Sequence, residues 1–149
     1  MYGNLSEERI EHVLSSQLLG RIGCYANNRM YIVPICYAYH GNCIYGRTFE
    51  GLKLKMMREN PQVCFQLEHL ESMGHWQSVI CWGEFEELTE MIKRNNGIRI
   101  LQNRVSVKMD DENLRISHYW PFSINETDDI EGIIFCIHIS EKTGKFEKV

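Results

Sequence analysis

Residues 29–68 read RMYIVPICYAYHGNCIYGRTFEGLKLKMMRENPQVCFQLE, and the order of elements inside them decides the fold. The opening RMYIVPICYAYH (29–40) is rich in β-branched and aromatic residues and reads as one long strand. Gly41 and Asn42 turn the chain, and CIYGR (43–47) forms the next strand. Gly51 opens a short helix that Asn60 and Pro61 stop. QVCFQLE (62–68) then alternates with Val63, Phe65 and Leu67 pointing inward. Within 29–40, alternation puts Tyr31, Val33, Ile35, Tyr37 and Tyr39 on one face, and Ile32, Pro34, Cys36 and Ala38 on the other. Neither face is polar enough for water, so both need cover. A barrel interior serves one; a helix, a second subunit or a planar ligand serves the other. Pro34 donates no ladder hydrogen bond, which argues for a bulge or an edge at that point.

The same stretch carries an anion-binding pattern. Arg47 and Thr48 end a strand, and Lys53 lies in the first turn of the helix that Gly51 opens, where free N–H groups and the helix dipole favour negative charge. A phosphorylated ligand is expected there. Further on, WQSVICWG (76–83) sets a polar pair, Gln77 and Ser78, in an apolar segment, and such a pair needs partners if buried.

Working outward, Ser6 is an N-cap with Glu7 and Glu8 in the first turn and Ile10, Val13, Leu14 and Leu18 at helical spacing, which predicts an amphipathic helix over 6–18. LGRIGCYA (19–26) is a strand, and Asn27 and Asn28 form a tight turn that tolerates positive φ. WQSVICWGEFEEL (76–88) is a strand with Gly83 as its bulge, followed by a helix over 89–103 that Asn95-Asn96-Gly97 interrupts. Residues 104–130 show no clear element. EGIIFCIHIS (131–140) is a buried final strand and EKTGKFEKV (141–149) a polar tail. Six short strands with helices around them predict a mainly β fold, a small antiparallel barrel in one domain over 1–149.

The net charge of −4 and the scatter of the sixteen basic residues argue against nucleic acid or anionic membranes as partners. No stretch approaches a membrane span, and the first residues have neither a basic nor an apolar signal region, so a soluble, cytoplasmic protein is expected. Six cysteines, with no Cys-x-x-Cys spacing, read as reduced core thiols. His69 and His75 lie near Cys64 without a recognised ligand spacing, so no metal is expected.

GRIGCYANNRMYIVPICYAYHGNCIYGRTFEGLKLKMMRENPQVCFQLE, WQSVICWGEFEEL and the terminal FCIHISEKTGK together resemble the pyridoxamine 5'-phosphate oxidase-like split-barrel flavoproteins, nearest the nitroimidazole-resistance (Nim-type) branch. The resemblance covers nearly the whole chain. It implies a six-stranded Greek-key split barrel with flanking helices, and a homodimer holding FMN between subunits. Val33, Pro34 and Ile35 match the segment lining the flavin ring. Arg47 and Thr48 match the strand end that contacts the ribityl phosphate, and Lys53 the phosphate lysine. Ser78 matches the polar residue at the ring's hydrogen-bonding edge, with Gln77 beside it. Many relatives of this branch carry His where Arg47 stands and Arg where Gln77 stands, so nitroimidazole reduction is not expected.

The function expected is an FMN-dependent oxidoreductase acting on a small molecule, in which the flavin carries hydride or electrons. Trp120, in the cluster His118 to Phe122, is a candidate wall of the substrate pocket. No Ser, His and Asp arrangement or carboxylate pair stands out as catalytic. The alternative is a non-catalytic carrier of flavin, vitamin B6 phosphate or haem on the same barrel. Haem would require one of His12, His40, His69, His75, His118 or His138 as axial ligand.

Overall fold

The computed structural model describes residues 1–107 and 130–149. Among these residues eight strands and three helices follow one another as β1 (Tyr2–Asn4), α1 (Glu7–Ser16), β2 (Leu19–Ala26), β3 (Arg29–Cys36), β4 (Ala38–His40), β5 (Cys43–Thr48), α2 (Leu52–Glu59), β6 (Gln62–Ser72), β7 (His75–Glu87), α3 (Met91–Val107) and β8 (Ile133–Lys148). All pairings are antiparallel, in the order β3-β2-β6-β7-β8-β5-β4, with β1 added to β8. Among the described residues no helix is long and apolar enough to cross a membrane.

Local sequence dictates several of these elements. Ser6 caps α1 by accepting from the Arg9 N–H at 3.3 Å. Asn27, Asn28, Gly41 and Asn42 hold φ of 53°, 59°, 58° and 62°, the conformation a two-residue hairpin loop demands. Val63, Phe65 and Leu67 are buried, as the alternation requires.

The inner face of the curled sheet meets α1 and α2 in one core. It contains Val13 and Leu14, Leu54 and Met57, and Ile22, Ile44, Phe65, Leu67, Val79, Phe135 and Ile137 from the strands. Tyr37 stacks edge-on against Phe65 at 4.9 Å between ring centroids. On the outer face α3 packs Leu101 against Ala38, Leu88, Ile134 and Cys136.

Four expectations need correction. The strand expected over 29–40 breaks at Tyr37, whose N–H bonds the Leu18 carbonyl and whose hydroxyl donates to the Leu14 carbonyl at 2.7 Å. That pull toward α1 splits the strand, and with β1 it raises the count from six to eight. The tail over 141–149 is instead, as far as Lys148, part of β8, laddered to β7 and to β1. The Asn95-Asn96-Gly97 run does not interrupt α3; Gly97 is buried where a Cβ would meet Ile134 and Leu88 within about 3 Å. The bulge lies at Gly83, but the extra residue is Ser140 on β8, whose hydroxyl donates to the Trp82 carbonyl at 3.1 Å.

β3 and β4 end the ladder, so no hydrogen-bonded strand pair joins β3 to β5. Pro34 thus lies on an edge strand, one of the two places open to it. The gap is filled by side chains: a Cβ at Gly46 would stand 3.2 Å from Ile35 Cδ1.

Candidate functional site

Thr48 and Lys53 come from consecutive elements, β5 and α2, five residues apart. β3 and β5 run in opposite directions, so from the contact of Ile35 with Gly46 the chain carries Val33 toward Thr48. Three residues beyond β5, Gly51 precedes the first turn of α2, which has no acidic residue and no side-chain cap. Its leading N–H groups are therefore left to solvent or a ligand.

Lys53 is half-buried in that turn, near Cys24 of β2. Burial pushes its ammonium below the ordinary lysine value, partly opposed by the Cys24 thiol. Among the described residues no carboxylate lies within ion-pairing distance of it. Cys24 is in register with Tyr31 of β3, and Val33 follows two residues on along the same half-covered face.

Thr48 is 8% exposed and its hydroxyl donates to the Phe49 carbonyl at 3.3 Å, which leaves its oxygen able to accept. Strand alternation turns Arg47 to the opposite face. There its Nε donates to the Glu131 carbonyl at 2.7 Å and its guanidinium lies 5.2 Å from the centre of the Phe49 ring. Val33 and Ile35 face inward, Ile35 fully buried, while Pro34 faces outward and is exposed.

Ser78 and Gln77 stand elsewhere. Ser78 opposes Glu68 in the β6–β7 ladder and its hydroxyl accepts from Gln66 Nε2 at 3.2 Å. Gln66 in turn donates to Glu68 at 2.8 Å, and Arg21 bonds both Glu68 oxygens at 3.0 Å. Gln77 lines a small polar cavity of about 220 Å³ with Arg9, His12, His69, Glu71 and His75. Trp120, expected to wall a substrate pocket, lies outside the described residues.

At the level of Cys24 and Val63, beyond the Arg21 and Gln66 row from Ser78, the outer face is largely apolar. A groove of about 340 Å³ runs over Gly23, Tyr25, Met30, Ile32, Cys64 and Trp82. Met30 is 81% and Ile32 69% exposed, an unusual outlay of large apolar side chains on a strand. Only the outward half of β3 hinted at this groove in the sequence; Gly23, Cys64 and Trp82 join it through ladder register.

Residues 6–131 match the family model described as pyridoxamine 5'-phosphate oxidase. The chain belongs to that family. A FAD-binding protein of Mesorhizobium loti has a similar structure, with 25% identity, a TM-score of 0.78 and 99% of each chain covered. A protein of Bacteroides thetaiotaomicron assigned to 5-nitroimidazole antibiotic resistance is 16% identical, with a TM-score of 0.73 over 98% of this chain and 87% of that one. The FAD-binding protein of Mycobacterium smegmatis is 20% identical, with a TM-score of 0.69 over 99% of this chain and all of the other. The split-barrel fold is thus shared with proteins of low identity. An uncharacterised protein of Rhizobium meliloti is 37% identical over 84 residues, so the chain spans about half the length, 56%, of that curated relative.

Proposed function

We propose that the protein binds FMN as a homodimer and, through the bound flavin, acts as an oxidoreductase on a small molecule. The observation that carries this reading is Lys53, a half-covered ammonium without a described carboxylate partner, at an uncapped helix start five residues after the buried Thr48. Such a donor set fits a phosphate: an ammonium and free backbone N–H groups share one helix turn with a hydroxyl close in sequence, and desolvation of the lysine is offset once an anion arrives. Family membership and two FAD-binding structural relatives support a flavin in particular.

In this reading Lys53, Thr48 and the first turn of α2 hold the phosphate, and Val33, Pro34 and Ile35 form the wall beside the ring. Arg47 joins them only by leaving the Glu131 carbonyl; where it stays, it fixes the 131–133 segment behind Thr48. Ser78, whose oxygen already accepts from Gln66, retains its proton for a ring-edge acceptor, with Gln77 next to it. When bound, the flavin supplies hydride or electron transfer, and these side chains bind and orient it.

The separation of the two groups supports a site shared between subunits. Cys24, beside Lys53, lies in register near Val63 and Cys64, whereas Ser78 opposes Glu68. At about 3.3 Å per residue the two groups are roughly 15 Å apart along the ladder. They also face opposite sides of the sheet. A flavin gripped by Lys53 of one protomer takes ring-edge contacts most simply from a second copy.

The absorption spectrum of freshly purified protein is the direct test. Two flavin bands are expected, and mass analysis of the released cofactor separates FMN from FAD. A Soret band, or the single band of a vitamin B6 phosphate, would favour the carrier readings instead. Lys53→Ala should weaken FMN binding by roughly 10- to 100-fold, the loss of one charge-assisted hydrogen bond. Fluorescence titration measures it, and an unchanged Kd removes Lys53 from the site.

A further inference from the structure

Three strands bring four side chains together on the outer face, away from the residues assigned to the flavin. Glu86 of β7 opposes Cys136 of β8, and His138, two residues along the same face of β8, opposes Cys43 of β5. His138 Nε2 lies 3.1 Å from Glu86 Oε1 and 3.3 Å from Cys136 Sγ, and that sulfur lies 3.7 Å from the same carboxylate oxygen. Three lone-pair atoms thus form a small triangle. Either protons or a cation must lie between them.

A tetrahedral zinc ion with ordinary bonds to sulfur, nitrogen and oxygen has ligand separations of about 3.6 Å for S···N, 3.6 Å for S···O and 3.3 Å for N···O. The triangle meets those values to within a few tenths of an ångström. The surroundings suit an ion as well. Cys43 Sγ is 3.4 Å from Nδ1 of His138, so a proton on Nδ1 has an acceptor and the Nε2 lone pair is left for a metal. Lys93 sits 3.4 Å from Glu86 Oε2, which turns Oε1 toward the triangle. A thiolate and a carboxylate together balance a divalent charge. Mixed sulfur, nitrogen and oxygen donors select zinc over magnesium or calcium, which take oxygen.

We propose that Glu86, Cys136 and His138 form a zinc-binding site on the outer face of β7 and β8, with Cys43 orienting the imidazole and the fourth ligand position open to solvent. Cys136 is buried and His138 exposed, so the ion enters from the solvent side and the thiol gives up its proton on binding. The site clamps β7 to β8 close to the Gly83 bulge, and its open position marks it as a place for an exchangeable water or a small anion.

The test uses the full chain, freed of metal by chelation and titrated with Co²⁺ and then Zn²⁺. One equivalent of Co²⁺ should give a sulfur-to-cobalt charge-transfer band, which Zn²⁺ displaces. His138→Ala alters an exposed side chain and should abolish the band while circular dichroism stays native. Cys43→Ser should keep the band with roughly tenfold weaker binding, as expected of a residue acting through the imidazole. Glu86→Gln should weaken binding without unfolding. Absence of the band in the unaltered chain, or an undiminished band in His138→Ala, overturns the proposal. So does loss of the band in His69→Ala instead.

Discussion

At the scale of single residues, Lys53 is half-buried without a described carboxylate partner, and an anion beside it would offset that burial. Burial lowers its pKa below the ordinary 10.5, and a bound phosphate raises it again. Only the ammonium form gains from the phosphate. Flavin affinity should therefore be full below the free-protein pKa of Lys53 and fall as pH rises through it, levelling off above the raised pKa of the complex. Kd measured across alkaline pH checks this, and Lys53→Ala should flatten the profile. Tyr37 shows the opposite arrangement, a buried hydroxyl fully occupied by the Leu14 carbonyl, with burial pushing its pKa far up. It serves packing, whereas Lys53 is left with capacity to spare.

At the scale of elements, the β7–β8 pair depends on Gly83. A Cβ there would stand 2.3 Å from the His138 carbonyl oxygen, a backbone atom that cannot swing aside. Gly83→Ala should destabilise the fold by about 1–3 kcal/mol through overpacking. Urea unfolding at unchanged m would show it as a lower midpoint. This glycine was legible in the sequence as a bulge signal, but which strand carries the extra residue was not. Elements set by nearest neighbours were readable: the Ser6 cap, the Asn27-Asn28 and Gly41-Asn42 turns, and α2 between Gly51 and Asn60. Elements set by distant partners were not. Glu141 to Lys148 is polar, and only β7 and β1 on its two sides make it a strand. The break at Tyr37 depends on carbonyls of α1 and of the residue after its cap, Leu18. The candidate site divides in the same way. Thr48 and Lys53 could be read together because they are five residues apart across one helix start. The Glu86, Cys136 and His138 triangle joins residues 50 apart, through a register that no spacing rule encodes.

For the whole molecule, the question is what covers Met30, Ile32 and Trp82. If a second copy does, Ile32→Lys places a charge in the contact without disturbing the protomer, since Ile32 is 69% exposed there. Light scattering should then report a monomer, and the protein should purify with little flavin. A variant that remains dimeric and yellow would move the interface to another face. The gap between β3 and β5 has a mechanical consequence for the same molecule. A closed cylinder of main-chain bonds must break some of them to dilate, whereas this one is buttoned along one side by Ile35 against the bare backbone at Gly46. Each such atom pair is worth only about 0.1–0.2 kcal/mol. Among the described residues the seam between β3 and β5 is therefore a compliant part of the cylinder, able to spread around an incoming guest while the ladders on its other sides stay intact.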